Sequence, residues 1–191
     1  MSLKVKISIF LTAILVTTSS ISAEYPDKSI RLVIPFGAGG GTDAVGRALA
    51  DSARDILKTD ILIMNRTGGS GALGMSYGAT QRGDGYTLTM ITREIVSLPQ
   101  MGLMKIDASD FKLIRMINLD PAVVLVRADS ELNTIKDLIY AAKTYDRKLE
   151  FASTAAPNIY LMALEKDQNI KLDAIPYNGS GQAIPALLKQ H

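Results

Sequence analysis

Cysteine is absent from the 191 residues. There is therefore no disulfide framework, no thiolate zinc site and no thiol nucleophile. Histidine occurs once, as His191 at the last position. That leaves nothing from which to build a histidine-dependent triad or a multi-histidine metal site. Tryptophan is missing too. What remains is globular in character. Hydrophobic residues make up 47% and charged residues 21%, enough apolar mass for a core and a poor match to a disordered chain. The length suits one domain, at most two.

Residues 1–23 differ from the rest. Lys4 and Lys6 give a short basic start, and Ile7 to Val16 is an apolar run broken only by Ser8 and Thr12. Small polar residues follow, ending in Ile21-Ser22-Ala23. This is the layout of a secretory signal peptide cleaved after Ala23. The run is too short for a retained anchor, since a span needs about 20 apolar residues. No cysteine follows it, which excludes a lipoprotein anchor. Removal of the segment leaves 168 residues carrying 19 basic and 19 acidic side chains, so the net charge of +2 belongs to the leader. Without a basic bias, nucleic acid is not expected as a partner. The mature chain reads as soluble and exported.

The mature chain alternates strands, glycine loops and helices at a period of about 30 residues, the pattern of βαβ units around a parallel sheet. Ile30 to Pro35 reads as a buried strand. Phe36 to Gly41 is a glycine-rich loop. Thr42 or Asp43 is expected to cap a helix to about Leu57, with Val45, Ala48, Leu49, Ser52 and Ile56 on its inner face. A second strand, Ile61 to Met64, leads into the loop Asn65–Gly71 and a small-residue helix to about Thr80. After the turn Gly83-Asp84-Gly85 comes a third strand, Tyr86 to Ile91. Phe111 to Ile117 and Ala122 to Val126 read as two strands passing from one domain to another. Thr134 with Asp137 makes a capping box for a helix to about Thr144. Leu149 to Ala152 is a strand, Ser153 to Asn158 a loop, and Ile159 to about Asp167 a helix. Ala174-Ile175-Pro176 enters the loop Tyr177–Gly181, after which a helix is expected from Ala183 to Gln190.

In parallel sheets ligands sit beyond the carboxyl ends of the strands. Each of these loops lies at such an end. Glycine permits close backbone approach, and the helix that follows offers unpaired N–H groups suited to an anion. Ser70, Ser153, Thr154 and Ser180 add hydroxyls. Any one loop could be an ordinary turn; taken together they suggest a shared anion-binding cleft. Gly39 to Ala44 matches G-x-G-x-x-A, but the second strand ends in Asn65 where a dinucleotide site needs an acid, and no P-loop lysine is present. Asp43, Asp84 and Asp107 lack partners for acid–base chemistry; Asp84 reads as a turn residue and Asp43 as a cap. Gly69-Ser70-Gly71 lacks the spacing of a nucleophile elbow. No residue is assigned a catalytic or metal role, and no cofactor is expected. Arg93, directly after a strand, could pair with a ligand carboxylate or stand in solvent.

The run Tyr25-Pro26-Asp27-Lys28-Ser29-Ile30-Arg31-Leu32-Val33-Ile34-Pro35-Phe36, followed by Gly39-Gly40-Gly41-Thr42-Asp43, resembles the opening of the Bug family, the TctC-like extracytoplasmic solute receptors of tripartite tricarboxylate transporters. The resemblance continues through Asn65-Arg66, through Asp84-Gly85-Tyr86-Thr87-Leu88 and through Pro176-Tyr177-Asn178-Gly179-Ser180-Gly181, covering most of residues 25–188. It implies an α/β fold of the periplasmic-binding-protein type II class, with two βαβ domains and a cleft between them. The expected division is a leader at 1–23, a first domain at 24–117 and a second at 118–191. Family members are longer by more than half, so the second domain and the return to the first are expected to be incomplete, exposing apolar surface.

The function the resemblance implies is capture of a small di- or tricarboxylate, or a related acid, by a periplasmic monomer. Delivery would be to the membrane components of the transporter, with no chemistry performed. Ligand contacts are expected from Phe36, Gly37, Ala38, Gly39, Gly40, Thr42 and Asp43 in the first domain. Ser153, Thr154, Tyr177, Gly179 and Ser180 would supply those of the second, with Thr92 and Arg93 also at the cleft. Two segments depart from the family pattern: Ala152 to Asn158 is poorer in glycine, and Thr92-Arg93-Glu94-Ile95 replaces a small polar run. A ligand sensor, a non-binding remnant of such a receptor and an α/β enzyme acting on an anionic substrate are the rivals.

Overall fold

A computed structural model describes residues 24–146 and 148–189. The expected export segment and its expected cleavage after Ala23 lie outside the described residues. The order of elements is β1 (Ile30–Ile34), α1 (Gly41–Leu57), β2 (Ile61–Asn65), α2 (Ala72–Ala79), β3 (Thr87–Thr89), α3 (Glu94–Gln100), α4 (Ile135–Thr144), β4 (Glu150–Ser153), α5 (Ile159–Gln168), β5 (Asp173–Pro176) and α6 (Ser180–Leu188).

The first sheet has the order β2-β1-β3 and is parallel throughout. Its register sets Ile30 against Ile61 and Ile34 against Asn65, with Arg31 against Thr87 on the other side. β1 is the central strand. Ile30, Val33 and Ile34 are fully buried, as a β-branched run covered on both faces should be. One core packs Ile30, Leu32, Ile34, Ala50 and Ile61 under α1. A second gathers Met75, Ile95, Leu98 and Met104 between α2 and α3. β4 and β5 form a separate parallel pair, Glu150 opposite Asp173.

Two expectations about α1 are corrected. Its N-cap is Gly40, with no side-chain cap; Thr42 and Asp43 lie inside the first turn. Its buried positions are Asp43, Gly46 and Ala50, while Leu49 is 36% and Ile56 79% exposed. The helix seats its small residues against the sheet: a Cβ on Gly46 would lie 2.6 Å from Ile34 Cδ1 and 2.9 Å from Met90 Sδ. Close approach of backbone to sheet, and not the width of the apolar side chains, sets the inner face.

The strands expected at Phe111–Ile117 and Ala122–Val126 do not form; both segments lack regular structure. Apolar residues there stand exposed, Ile114 at 79% and Val123 at 71%. A strand needs a neighbour to pair its backbone, and none of the described residues supplies one. α3 was not anticipated, and α6 begins at Ser180, three residues earlier than expected. The Thr134–Asp137 capping box is present, with Asp137 Oδ2 accepting from Thr134 N at 2.7 Å.

Candidate functional site

The loops after β1, β2 and β3 lie at one edge of the first sheet, because parallel strands end on the same side. The loops after β4 and β5 meet them there. Gly37 N donates to Asn178 O at 2.8 Å, and Gly41 N to Ser180 Oγ at 3.2 Å. Gly179, the N-cap of α6, is buried with a φ of 117°, which glycine adopts without strain. A Cβ on Gly181 would lie 2.7 Å from Ala38 O and 2.9 Å from Gly40 N, so only glycine lets these two backbones touch. The loops after β2 and β4 are tied by Ser70, whose hydroxyl donates to Ala156 O at 2.9 Å and accepts from Ala156 N at 2.6 Å.

Asp43 organises the first loop. Its Oδ2 accepts from Gly39 N and from Arg47 Nε, each at 2.9 Å, and its Oδ1 accepts from Asn65 Nδ2 at 2.9 Å. Asn65 Nδ2 also reaches Phe36 O at 3.0 Å. The carboxylate is 3% exposed and fully engaged within the protein. The Arg47 hydrogen bond, helped by Gly39 N–H and Asn65 and opposed by burial, holds its pKa at about 2. Asp43 stays charged at neutral pH and shapes the loop from behind.

The remaining residues are placed as follows. Phe36 and Gly37 are half-buried, Ala38 and Gly39 are exposed at the loop tip, Gly40 is buried and Thr42 half-buried. Ser153 is buried, its hydroxyl bonded to Ala155 O and accepting from Asn158 Nδ2 at 3.2 Å. Thr154 is exposed and Tyr177 half-buried, its N–H donating to Ser153 O at 2.8 Å. The stretch Phe36–Asp43 thus comes together with Gly179 and Ser180. Among the described residues Thr92 and Arg93 make no hydrogen bond to that cluster. The Arg93 guanidinium carbon lies 4.4 Å from the ring centre of Tyr160, near the start of α5. Arg93 Nη2 pairs with Glu94 Oε1 at 3.2 Å, and Thr92 Oγ1 donates to Glu94 Oε2 at 2.6 Å. Sequence reasoning missed Asn65 as an organiser, and also Ala156, Asn178 and Tyr160. Asn65 was the detectable one, as a polar residue closing an apolar strand beside a glycine loop. Asp84 accepts from Tyr86 N at 3.0 Å and Asp107 from Ser109 N at 2.7 Å, both local turn contacts.

Among the described residues no group of three or more His, Cys, Asp or Glu side chains could hold a metal ion. Among them no helix is long and apolar enough to cross a membrane.

Parallel α/β sheets whose loops face one another define a periplasmic-binding-protein fold. A solved structure of MatC from Rhodopseudomonas palustris with bound malate shares that fold, at a TM-score of 0.77 and 22% identity, over 86% of this chain and 58% of that one. The family model described as tripartite tricarboxylate transporter family receptor matches residues 45–191, and the chain belongs to that family. A Cupriavidus necator protein, "UPF0065 protein in gbd 5'region", is 31% identical over 172 residues, covering 88% of this chain and 53% of that protein. Protein BugT of Bordetella pertussis is 29% identical, covering 92% of this chain and 57% of its own length. An R. palustris protein solved with adipate matches at 25% identity and a TM-score of 0.65, over 87% of this chain and 57% of that one. The chain therefore spans a little over half the length of the curated relatives it matches. Family and fold are those of solute-binding receptors, not of enzymes.

Proposed function

We propose that this chain captures a small carboxylate in the periplasm, after cleavage following Ala23, and presents it to the membrane components of a tripartite tricarboxylate transporter. The units at 24–117 and 118–191 would act as two domains closing on the solute, in a monomer, without chemistry. One observation carries this reading: glycine loops from two parallel sheets converge at Gly37–Asn178 and Gly41–Ser180. These N–H groups belong to a loop and to the start of a 17-residue helix, where backbone donors and the helix dipole favour an anion. A solute carboxylate would take Gly37 N–H and Gly41 N–H in place of Asn178 O and Ser180 Oγ, as the two units part and reclose. The R. palustris relative solved with adipate supports an acid as the solute.

A second reading, a family member that binds no solute, is favoured by the same hydrogen bonds. Gly37, Gly39 and Gly41 N–H all have protein acceptors. Melting scans of the purified chain with a panel of mono-, di- and tricarboxylates separate the two. A solute at about 100 times its Kd adds about 2.7 kcal/mol of stability. A shift with one class of acid supports the receptor reading; no shift with any acid supports the second.

A further inference from the structure

We propose that Asn178 is a modification site: its side-chain amide is lost to water through a cyclic imide with Gly179, and the isoaspartate that results loosens the start of α6 from the glycine loop after β1. The proposal concerns that contact itself and does not depend on a bound solute.

Asn178-Gly179 is the one Asn-Gly pair in the 191 residues. Asparagine is a chemically labile residue, and a glycine after it has no side chain to shield the nitrogen that attacks. Asn178 is exposed, and its side chain makes no hydrogen bond among the described residues. The Gly179 N–H likewise has no acceptor among them. The other asparagines are protected. Asn65, Asn118, Asn133 and Asn158 have their side-chain amides hydrogen-bonded. Asn169 precedes the β-branched Ile170, whose nitrogen already donates to Glu165 O at 3.0 Å.

The chemistry needs only water and hydroxide. Gly179 N gives its proton to hydroxide and attacks Asn178 Cγ. An N–C bond forms, the Cγ–Nδ2 bond breaks, and Nδ2 leaves as ammonia after taking a proton from water. A second water then opens the imide at one of its two carbonyls. Opening at Cγ gives aspartate with the chain path unchanged. Opening at the main-chain carbonyl gives isoaspartate, whose chain runs through Cβ and Cγ and is longer by one carbon.

In the closed arrangement this peptide is held on both sides. Asn178 N donates to Gln182 Oε1 at 3.3 Å, and Asn178 O accepts from Gly37 N at 2.8 Å. Gly179 is buried. Reaction therefore takes place when the loop parts from Gly37 in a local opening. Afterwards the loop cannot reseat. A Cβ on Gly181 would already lie 2.7 Å from Ala38 O, and one on Gly37 2.9 Å from Asn178 O, so the contact has no slack for an added backbone carbon. Each opening carries a chance of being made permanent.

The test is incubation of the purified chain in mildly alkaline buffer. Peptide mass spectrometry locates amide loss, chromatography separates isoaspartate from aspartate, and hydrogen exchange reads the Gly37 and Gly41 amides. Asn178 should lose its amide before any other asparagine, with isoaspartate as the main product. The Gly37 and Gly41 amides should then exchange several-fold faster. Freshly prepared Asn178→Asp carries the charge without the extra carbon and should keep the slow exchange, and Asn178→Ser should keep it throughout the incubation. Ser180→Ala removes the acceptor of Gly41 N–H and should speed amide loss by favouring the open loop. Failure of Asn178 to react first, aspartate as the sole product, or unchanged exchange after modification would overturn the proposal. So would equal loosening in either Asn178 variant, or a rate that Ser180→Ala does not alter.

Discussion

Asp43 and Asn65 hydrogen-bond at 2.9 Å across the carboxyl ends of two neighbouring strands, one residue in the first turn of α1 and the other the last residue of β2. That bond ties the loop after β1 to the end of β2, with Gly39 N–H and Arg47 as further struts.

This relationship gives a pH dependence. The folded pKa of Asp43 is lowered from 3.8 to about 2, so its contribution is fully present above the unfolded value and is lost as pH falls from about 4 through 2. Arg47 is half exposed, which limits the worth of the cluster to about 1–2 kcal/mol. Asp43→Asn should lower stability by that amount at pH 7 and flatten its fall between pH 4 and pH 2. Urea titrations of both proteins at pH 7, 4 and 3 check this; parallel acid profiles would contradict it.

Gly181→Ala should separate the two loops. The added methyl meets backbone atoms of Ala38, Gly39 and Gly40 at 2.7 to 2.9 Å, and backbone cannot swing aside. Carboxylate affinity should drop by about tenfold or more, since approach geometry and not a side chain is lost. Calorimetry with the best acid of the panel reads this directly, and an unchanged Kd would remove Gly181 from the site.

Gly74→Ala tests how α2 packs against the ends of β1 and β2. Its Cβ would lie 2.5 Å from Arg66 O and 2.7 Å from Pro35 Cα, forcing α2 off the end of β1. Overpacking of this kind costs about 1–3 kcal/mol. The expected outcome in urea unfolding is a lower midpoint at unchanged slope.

Ser70→Ala removes a hydroxyl that both donates to and accepts from Ala156. The loss should be about 1 kcal/mol in thermal unfolding. If the bridge also holds the units closed on a solute, dissociation should quicken several-fold while association stays the same. Stopped-flow measurement of both rates distinguishes a closing contact from a merely structural one.

Local signals were the legible ones. β1 and β2 announced themselves as apolar β-branched runs ending in glycine loops, and the Thr134–Asp137 box fixed the start of α4. The inner face of α1 was misread because amphipathic patterning weighs large side chains, whereas the contact with Ile34 and Met90 is made at Gly46. Phe111–Ile117 and Ala122–Val126 have strand composition, but strand formation depends on a partner elsewhere, which a local pattern does not contain. In the candidate site the loops could be located from glycine spacing. Their cross-contacts could not, since Asn178 O, Ala156 O and the Tyr160 ring reach their partners through the arrangement of two sheets. Arg93 was visible as a charge after a strand; its stacking on Tyr160 was not.

The parallel sheets also govern the order in which the molecule can assemble. β1 has no hairpin partner; its Ile30 pairs with Ile61, and the β3 pairing waits for Thr87. The contact between Gly41 and Ser180 bridges 139 positions in the chain. Closing so long a loop costs entropy that nearby pairings must first offset, and chains rich in such contacts fold slowly. The Gly41–Ser180 contact is thus expected to form after the pairings of β1 with β2 and β3, and it cannot form on a nascent chain until Ser180 has emerged.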